Sequence, residues 1–318
     1  MTRRLDQVLG RDPFMVDESA CYLAAQDLQR YVGDSSSADK TLDPVAAALF
    51  KLFFVSICHQ INWDFLLGRM REYFFAADTD TMIGRALKYG AKDVEHMLAG
   101  YARPDRIKAK ERAKIMRMLA AALVEQYGSR VDGLFFPSRI GGDDGLIERL
   151  NKFSAFSEDP VGKKVNVFVQ ELLREHIATF DDEGSVQPAI DYHLIRLYLR
   201  SGRVTSKEVV VLSVLTSASP TRMRLITLLR QKVGEALALT SFYAKKTIFE
   251  VNYVEWQIAR QRCELDGPIC TGPWPNSEFD QAIIAIQPLS CPYSGWCLAH
   301  NDSEWTALRE PEVRKAFY

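Results

Sequence analysis

The chain has 318 residues, room for one large or two modest domains, and 47% of them are apolar, which supplies a core and excludes a disordered tail protein. Forty Lys and Arg against 41 Asp and Glu leave a formal net charge of -1, so no whole-chain field draws it onto polyanions and any nucleic-acid contact must be local. Met1-Thr2-Arg3-Arg4-Leu5-Asp6 leads into charge rather than into a signal-peptide apolar core. The longest apolar run, Val45 to Cys58, carries Lys51 and is too short for a bilayer. A soluble monomer without membrane contact is expected, cytoplasmic or nucleoid-associated and not secreted.

Helical signals follow one another, and the expected fold class is all-α. Asp43-Pro44 gives a capping residue and a proline at the first helical position, opening Val45 to Cys58. That stretch is apolar on nearly every face and predicts a helix in the middle of a bundle. A basic loop, Arg103 to Lys110, precedes an amphipathic helix from Glu111 to Tyr127 that stops at Gly128. Ile140 to Gly145 reads as a loop, because no strand precedes it and no Gly-Lys-Ser/Thr follows. Leu146 to Phe153 predicts a helix, and the turn Ser157 to Gly162 opens another from Lys163 to Glu175. Asp191 stands at the start of Tyr192 to Arg200, closed by Gly202. Glu208 to Leu212 carries the one hint of period-2 alternation. Pro220 to Leu239 and Thr247 to Arg262 are the last expected helices, and after Cys263 prolines and glycines replace helical periodicity. That last part needs something besides a core to hold it.

Cys263 and Cys270 are separated by six residues, Cys291 and Cys297 by five. Tetrahedral zinc sites usually take each pair from a tighter knuckle, so the wide spacing favours a [4Fe–4S] cluster. Zinc, two disulfides and four buried thiols are the alternatives; Cys21 and Cys58 read as core thiols.

Val251-Asn-Tyr-Val-Glu-Trp256-Gln-Ile-Ala-Arg260-Gln-Arg-Cys263 and the gap after it resemble the helix-into-cluster segment of the endonuclease III family of helix-hairpin-helix DNA glycosylases. The family spacing is C-x6-C-x2-C-x5-C; here the outer gaps agree and the middle one, Thr271 to Ser290, is an insertion. Ile190-Asp191-Tyr192-His193-Leu194-Ile195-Arg196 is similar to that family's catalytic-carboxylate segment, with Tyr192 replacing the usual threonine. Asp159-Pro160-Val161-Gly162-Lys163-Lys164 is similar to its hairpin, with Lys164 at the nucleophilic lysine and Pro160 where the first glycine is expected. Ile57-Cys58-His59-Gln60 resembles the glutamine-bearing helix end beside the extruded base.

The resemblance implies a two-lobed glycosylase fold: a helical lobe over residues 43–165 ending in the hairpin, and a second lobe from 1–42 plus 166–318 with the cysteine loop at 263–297. It implies N-glycosidic cleavage of a damaged or modified base in duplex DNA, by hydrolysis or by a lysine-mediated AP-lyase step, with Asp191 as carboxylate and Lys164 as the amine of the Schiff base in the lyase case. The backbone of Val161, Gly162 and Lys163 would hold phosphate; His59, Gln60 and Trp63 would face the base, and His193 and Arg196 would lie beside them. Arg196, Arg200 and Arg203 fall on one helical stripe able to follow a nucleic-acid backbone or to face solvent. Cys263, Cys270, Cys291 and Cys297 would ligate the cluster. Two other readings stand beside this one: a nucleotide or nucleoside N-glycosylase of the queuosine-salvage type, similar in its Asp-Tyr pair, and a catalytically silent binding module.

Overall fold

The computed structural model describes residues 5, 8–30, 43–128, 130–217, 221–274 and 289–311. Most of the Thr271–Ser290 insertion, the first residue of the helix expected from Pro220, and part of the N-terminal segment lie outside them. The described chain is mostly helical. In order it forms β1 (Met15–Val16), α1 (Glu18–Leu28), α2 (Pro44–Ile57), α3 (Trp63–Tyr73), α4 (Thr79–Lys88), α5 (Ala91–Met97), α6 (Ala109–Tyr127), α7 (Asp132–Phe135), α8 (Leu146–Asn151), α9 (Ser154–Ser157) and α10 (Lys163–Arg174). There follow α11 (Tyr192–Ser201), β2 (Val204–Thr205), α12 (Val209–Leu215), α13 (Met223–Ala244), α14 (Ile248–Gln261), β3 (Cys263–Glu264), β4 (Gly267–Pro268), α15 (Leu298–Asn301) and α16 (Ser303–Thr306). Among the described helices none is long and apolar enough to cross a membrane.

The chain divides into two compact units; the described residues of one are 43–186, those of the other 5–30 and 187–311. The chain thus changes unit after residue 186, beyond the 165/166 division read from sequence. In the 43–186 unit, the Asp43 carboxylate accepts the Ala46 amide at 2.9 Å and Pro44 sets the first helical φ, so α2 starts where its sequence says. Every residue of α2 from Ala48 to Ile57 is buried, and the helix packs against α3, α4, α6, α7 and α10. Its Phe53 and Phe54, both 0% exposed, each contribute about 1.5–3 kcal/mol by burial. The packing of α10 on α2 ties the helix that carries Lys164 to the middle of this unit. The helix expected over 146–153 forms as α8 and stops at Asn151; a separate short helix, α9, follows at Ser154–Ser157.

In the other unit α1, capped by the Asp17 carboxylate on the Ala20 amide at 2.9 Å, packs along α13. β1 pairs antiparallel with β2, Met15 opposite Thr205 and Val16 opposite Val204. The strand-like run Glu208–Leu212 belongs instead to α12. Val211, Val214 and Leu215 are buried there while Val209 is 76% exposed, a spacing of three and four that suits a helix buried on one side. α11 ends at Gly202, whose φ of 83° is left-handed and whose missing Cβ would stand 2.5 Å from Leu298 Cδ1. α14 opens with a capping box between Thr247 and Glu250.

Candidate functional site

The amine sits in the 43–186 unit. Gly162, at φ 62°, turns the chain into α10, and Lys164 follows in the first turn, 4% exposed. Its Nζ donates to the main-chain oxygen of Ser56 at 2.6 Å, one of the last carbonyls of α2, which have no partner within their own helix. Burial acts most strongly on Lys164 and lowers its pKa; Cys58 raises it, Lys163 and Arg112 lower it further, and the result is about 8. About a tenth of such an amine is unprotonated at pH 7, far more than of a solvated lysine.

The turn that precedes the amine is closed on itself. Asp159 accepts the Val161 amide on Oδ1 at 3.0 Å and the Lys163 amide on Oδ2 at 2.9 Å, while its carbonyl accepts the Gly162 amide at 2.9 Å. Pro160 has no amide hydrogen to give. The backbone donors of residues 161–163, expected from the sequence to hold a phosphate, are therefore directed at Asp159, which is 6% exposed. This bears on the assignment of Val161, Gly162 and Lys163 to phosphate: the Asp159 carboxylate already occupies the amides of Val161 and Lys163, and its carbonyl that of Gly162.

His59 and Gln60 do close the end of α2. His59 is 1% exposed, its Nε2 lies 2.8 Å from Glu111 Oε1 without hydrogen-bond alignment, and its pKa falls to about 3. Burial lowers it first, Glu111 opposes, and Arg112 and Lys164 push it down further, so the ring is neutral. The fully buried Arg112 donates to the carbonyls of Ile57 and of His59 (2.8 Å), Ile107 (2.8 Å) and Arg106 (3.1 Å), tying the end of α2 to the basic loop. Gln60, at φ 56°, accepts from Arg106 Nη1 at 3.1 Å. Trp63 is the first residue of α3, and its ring packs edge-on against Phe54 at 4.4 Å between centroids, a core contact.

The carboxylate sits in the other unit. Asp191 is 6% exposed and caps α11, its Oδ1 accepting the Leu194 amide at 3.0 Å while Oδ2 accepts Trp256 Nε1–H at 2.9 Å. Capping and a second, tertiary hydrogen bond are thus carried by one side chain. The Arg260 guanidinium lies 5.0 Å from the Trp256 ring centre.

The arginine stripe faces inward, contrary to both sequence expectations for it. Arg196, Arg200 and Arg203 are 3%, 2% and 0% exposed. Arg196 donates to the Cys263 carbonyl at 2.5 Å, pairs with Glu310 at 2.6 Å and lies 3.1 Å from His193 Nδ1. Arg200 donates to the Glu264 carbonyl at 2.5 Å and stands 3.7 Å from Cys263 Sγ, while its own carbonyl is 3.6 Å from Cys297 Sγ. Arg203 pairs with the buried Glu255, which also accepts from Tyr198 and, at 2.7 Å, from Tyr293. These cations are turned to the cysteine loop and to buried carboxylates rather than to solvent.

Around that loop β3 pairs with β4, and the Cys291 amide donates to the Cys270 carbonyl at 2.8 Å. All six cysteines are free thiols. Burial raises the pKa of Cys263, Cys270, Cys291 and Cys297, and the last two feel the other thiols, so the four lie within electrostatic reach. Arg262, 1% exposed, is placed beside Cys270 and Cys291 and packs on Trp274 at 4.4 Å. Among the described residues no three His, Cys, Asp or Glu side chains are arranged to hold a metal ion. Arg200 and Arg262 stand beside these thiols, where they would offset negative charge on the sulfurs once ionised.

Trp256, Arg112 and Ser56 carry roles that sequence reasoning assigned to none of them; an aromatic within a helix has no tertiary signature, and a main-chain acceptor has none at all. No protein-family model matches this chain, and no curated protein matches it.

Proposed function

We propose that the chain cleaves N-glycosidic bonds, with the two-lobed helix-hairpin-helix glycosylase fold that its motifs resemble. The observation that carries this reading is Lys164: a buried amine at the start of a helix, lowered to about 8, in the motif position of a nucleophile. The amine attacks C1′ of the sugar and the C1′–N bond breaks, one proton of the attacking nitrogen going to the departing base; the other passes to the ring oxygen as the sugar opens to a Schiff base, which water hydrolyses to free the lysine. The resemblance assigns Asp191 the part of the carboxylate that stabilises positive charge developing on the sugar. Cys263, Cys270, Cys291 and Cys297 would hold a [4Fe–4S] cluster, zinc being the alternative; bound, it supplies cross-links to a loop rich in proline and glycine rather than a step of the reaction.

Two observations favour a small nucleoside or nucleotide over duplex DNA. The hairpin amides are directed at Asp159, and the basic stripe of α11 is buried. Base release followed by chromatography decides the matter, using nucleosides, nucleoside 5′-monophosphates and a duplex containing a modified base. Release from the small substrates, insensitive to salt, is expected. Release from the duplex alone, falling steeply with salt, contradicts the small-substrate reading, and no release from any of them leaves the silent binding module.

A further inference from the structure

We infer that Trp256 is a positioning residue for Asp191: its indole N–H fixes the carboxylate's orientation and ties it to the helix that runs into the cysteine loop. The inference rests on the reading of Asp191 as the reacting carboxylate. A carboxylate that caps a helix has one oxygen committed to the backbone and freedom to rotate the other. Here the second oxygen, Oδ2, is held by Trp256 Nε1 at 2.9 Å, so the side chain is restrained from two directions and from two helices.

The restraint continues along both helices. α11 carries Asp191 at its start and Arg196 farther along, and Arg196 donates to the Cys263 carbonyl at 2.5 Å. α14 carries Trp256 and leads directly into Cys263. The two helices are therefore joined once at Asp191–Trp256 and again at Arg196–Cys263, a closed frame with the carboxylate at one corner. Neighbouring charges are arranged around this corner: Arg260 lies over the Trp256 ring, and Arg230 of α13 donates to the Ile190 carbonyl at 3.2 Å, next to Asp191. A donor held by a frame fixes a carboxylate at little cost in side-chain entropy, which a mobile lysine or arginine does not.

The test is nuclear magnetic resonance on the intact 15N-labelled protein, which requires no substrate. The Trp256 indole signal is identified by its loss in Trp256→Phe. In Asp191→Asn, which keeps a good capping residue, that signal is expected to move upfield while the other indole signals stay, because a charged acceptor has been replaced by a neutral one. In Trp256→Phe the Leu194 amide, donor to Asp191 Oδ1, is expected to exchange with solvent about ten-fold faster, while the amides of Leu197 and Leu199 keep their rates. An indole signal unmoved by Asp191→Asn, an unchanged Leu194 rate, or equal acceleration along the whole of α11 overturns the inference, the last by showing a merely structural role. Should both shifts occur and no substrate yield free base, the clasp stands and the proposed function falls.

Discussion

Lys164 on α10 gives its amine hydrogen to the main-chain oxygen of Ser56 on α2, and Lys51 on α2 gives hydrogens back, to Glu171 of α10 at 2.7 Å and to Glu175 just past its end at 2.5 Å. The two lysines are buried to 4% and 2% exposure, but they face different partners. Lys51 is matched by two carboxylates; Lys164 is matched by a carbonyl dipole and sits among Lys163 and Arg112. Of the two, Lys164 is the one whose surroundings favour giving up the proton.

The Lys164 amine is lowered from 10.5 to about 8, so the folded chain binds fewer protons than the unfolded one between those two values. Stability should rise by roughly 3 kcal/mol from this group as pH climbs from about 8 to about 10.5, and below 8 the full cost of the buried ammonium is present. Reductive alkylation with a small aldehyde should label Lys164 with a half-maximum near pH 8, read by peptide mass spectrometry. A half-maximum near that of ordinary surface lysines would deny the amine its readiness to react.

Burial alone would raise the Glu171 carboxyl, but Lys51 and Arg174 outweigh it and hold it at about 2. Lys51→Met leaves that carboxylate with Arg174 only and should destabilise the protein by about 3 kcal/mol in urea unfolding, whereas adding Glu171→Met should recover much of the loss. Because the folded carboxyl is depressed, this stabilisation is complete above about pH 4.5 and fades as pH falls toward 2. Losses that simply add in the double variant would show that the pair is not coupled.

Asp159→Asn removes the negative charge from the hairpin turn and keeps an oxygen for one of its amides. Fluorescence anisotropy with a short duplex should show about five-fold or tighter binding than wild type at low salt and a steeper dependence on salt. Asp80→Asn, an exposed substitution of equal charge change in the same unit, is the control and should leave binding as it was. A wild type that already binds duplex steeply, with no gain in Asp159→Asn, contradicts the assignment of those amides.

A protein purified without air should be brown and carry iron and sulfide, and Cys263→Ser should lose both together with thermal stability. Cys21→Ser and Cys58→Ser should keep the colour. A colourless protein with one zinc per chain would replace the cluster by the alternative metal, and a chain with no metal would remove the centre from the account.

Much of this was legible where the signal is local. Asp43-Pro44, Asp191 and Gly202 announced the ends of α2 and α11 because capping is a matter of a few neighbouring residues. The near-total apolarity of Val45 to Cys58 announced a central helix for the same reason. The arginine stripe was legible only in part: Arg196 and Arg200 share one side of α11 while Arg203 lies past its Gly202 cap, and spacing does not say whether that side meets water, since the partners that bury it lie far along the chain at Glu255, Cys263 and Glu310. Likewise Pro160 signalled an altered hairpin, but only coordinates direct the amides of Val161 and Lys163 to Asp159. The Asp191–Trp256 bond joins two helices separated in sequence and leaves no pattern in either.

The most direct measurement is borohydride trapping, with a panel of 2′-deoxynucleosides and an abasic-site oligonucleotide, followed by mass spectrometry of the digested protein. The account predicts a reduced sugar adduct on the Lys164 peptide, absent in Lys164→Met while that variant keeps its fold. An adduct that forms equally on other lysines, or base release that continues undiminished in Lys164→Met, would contradict it.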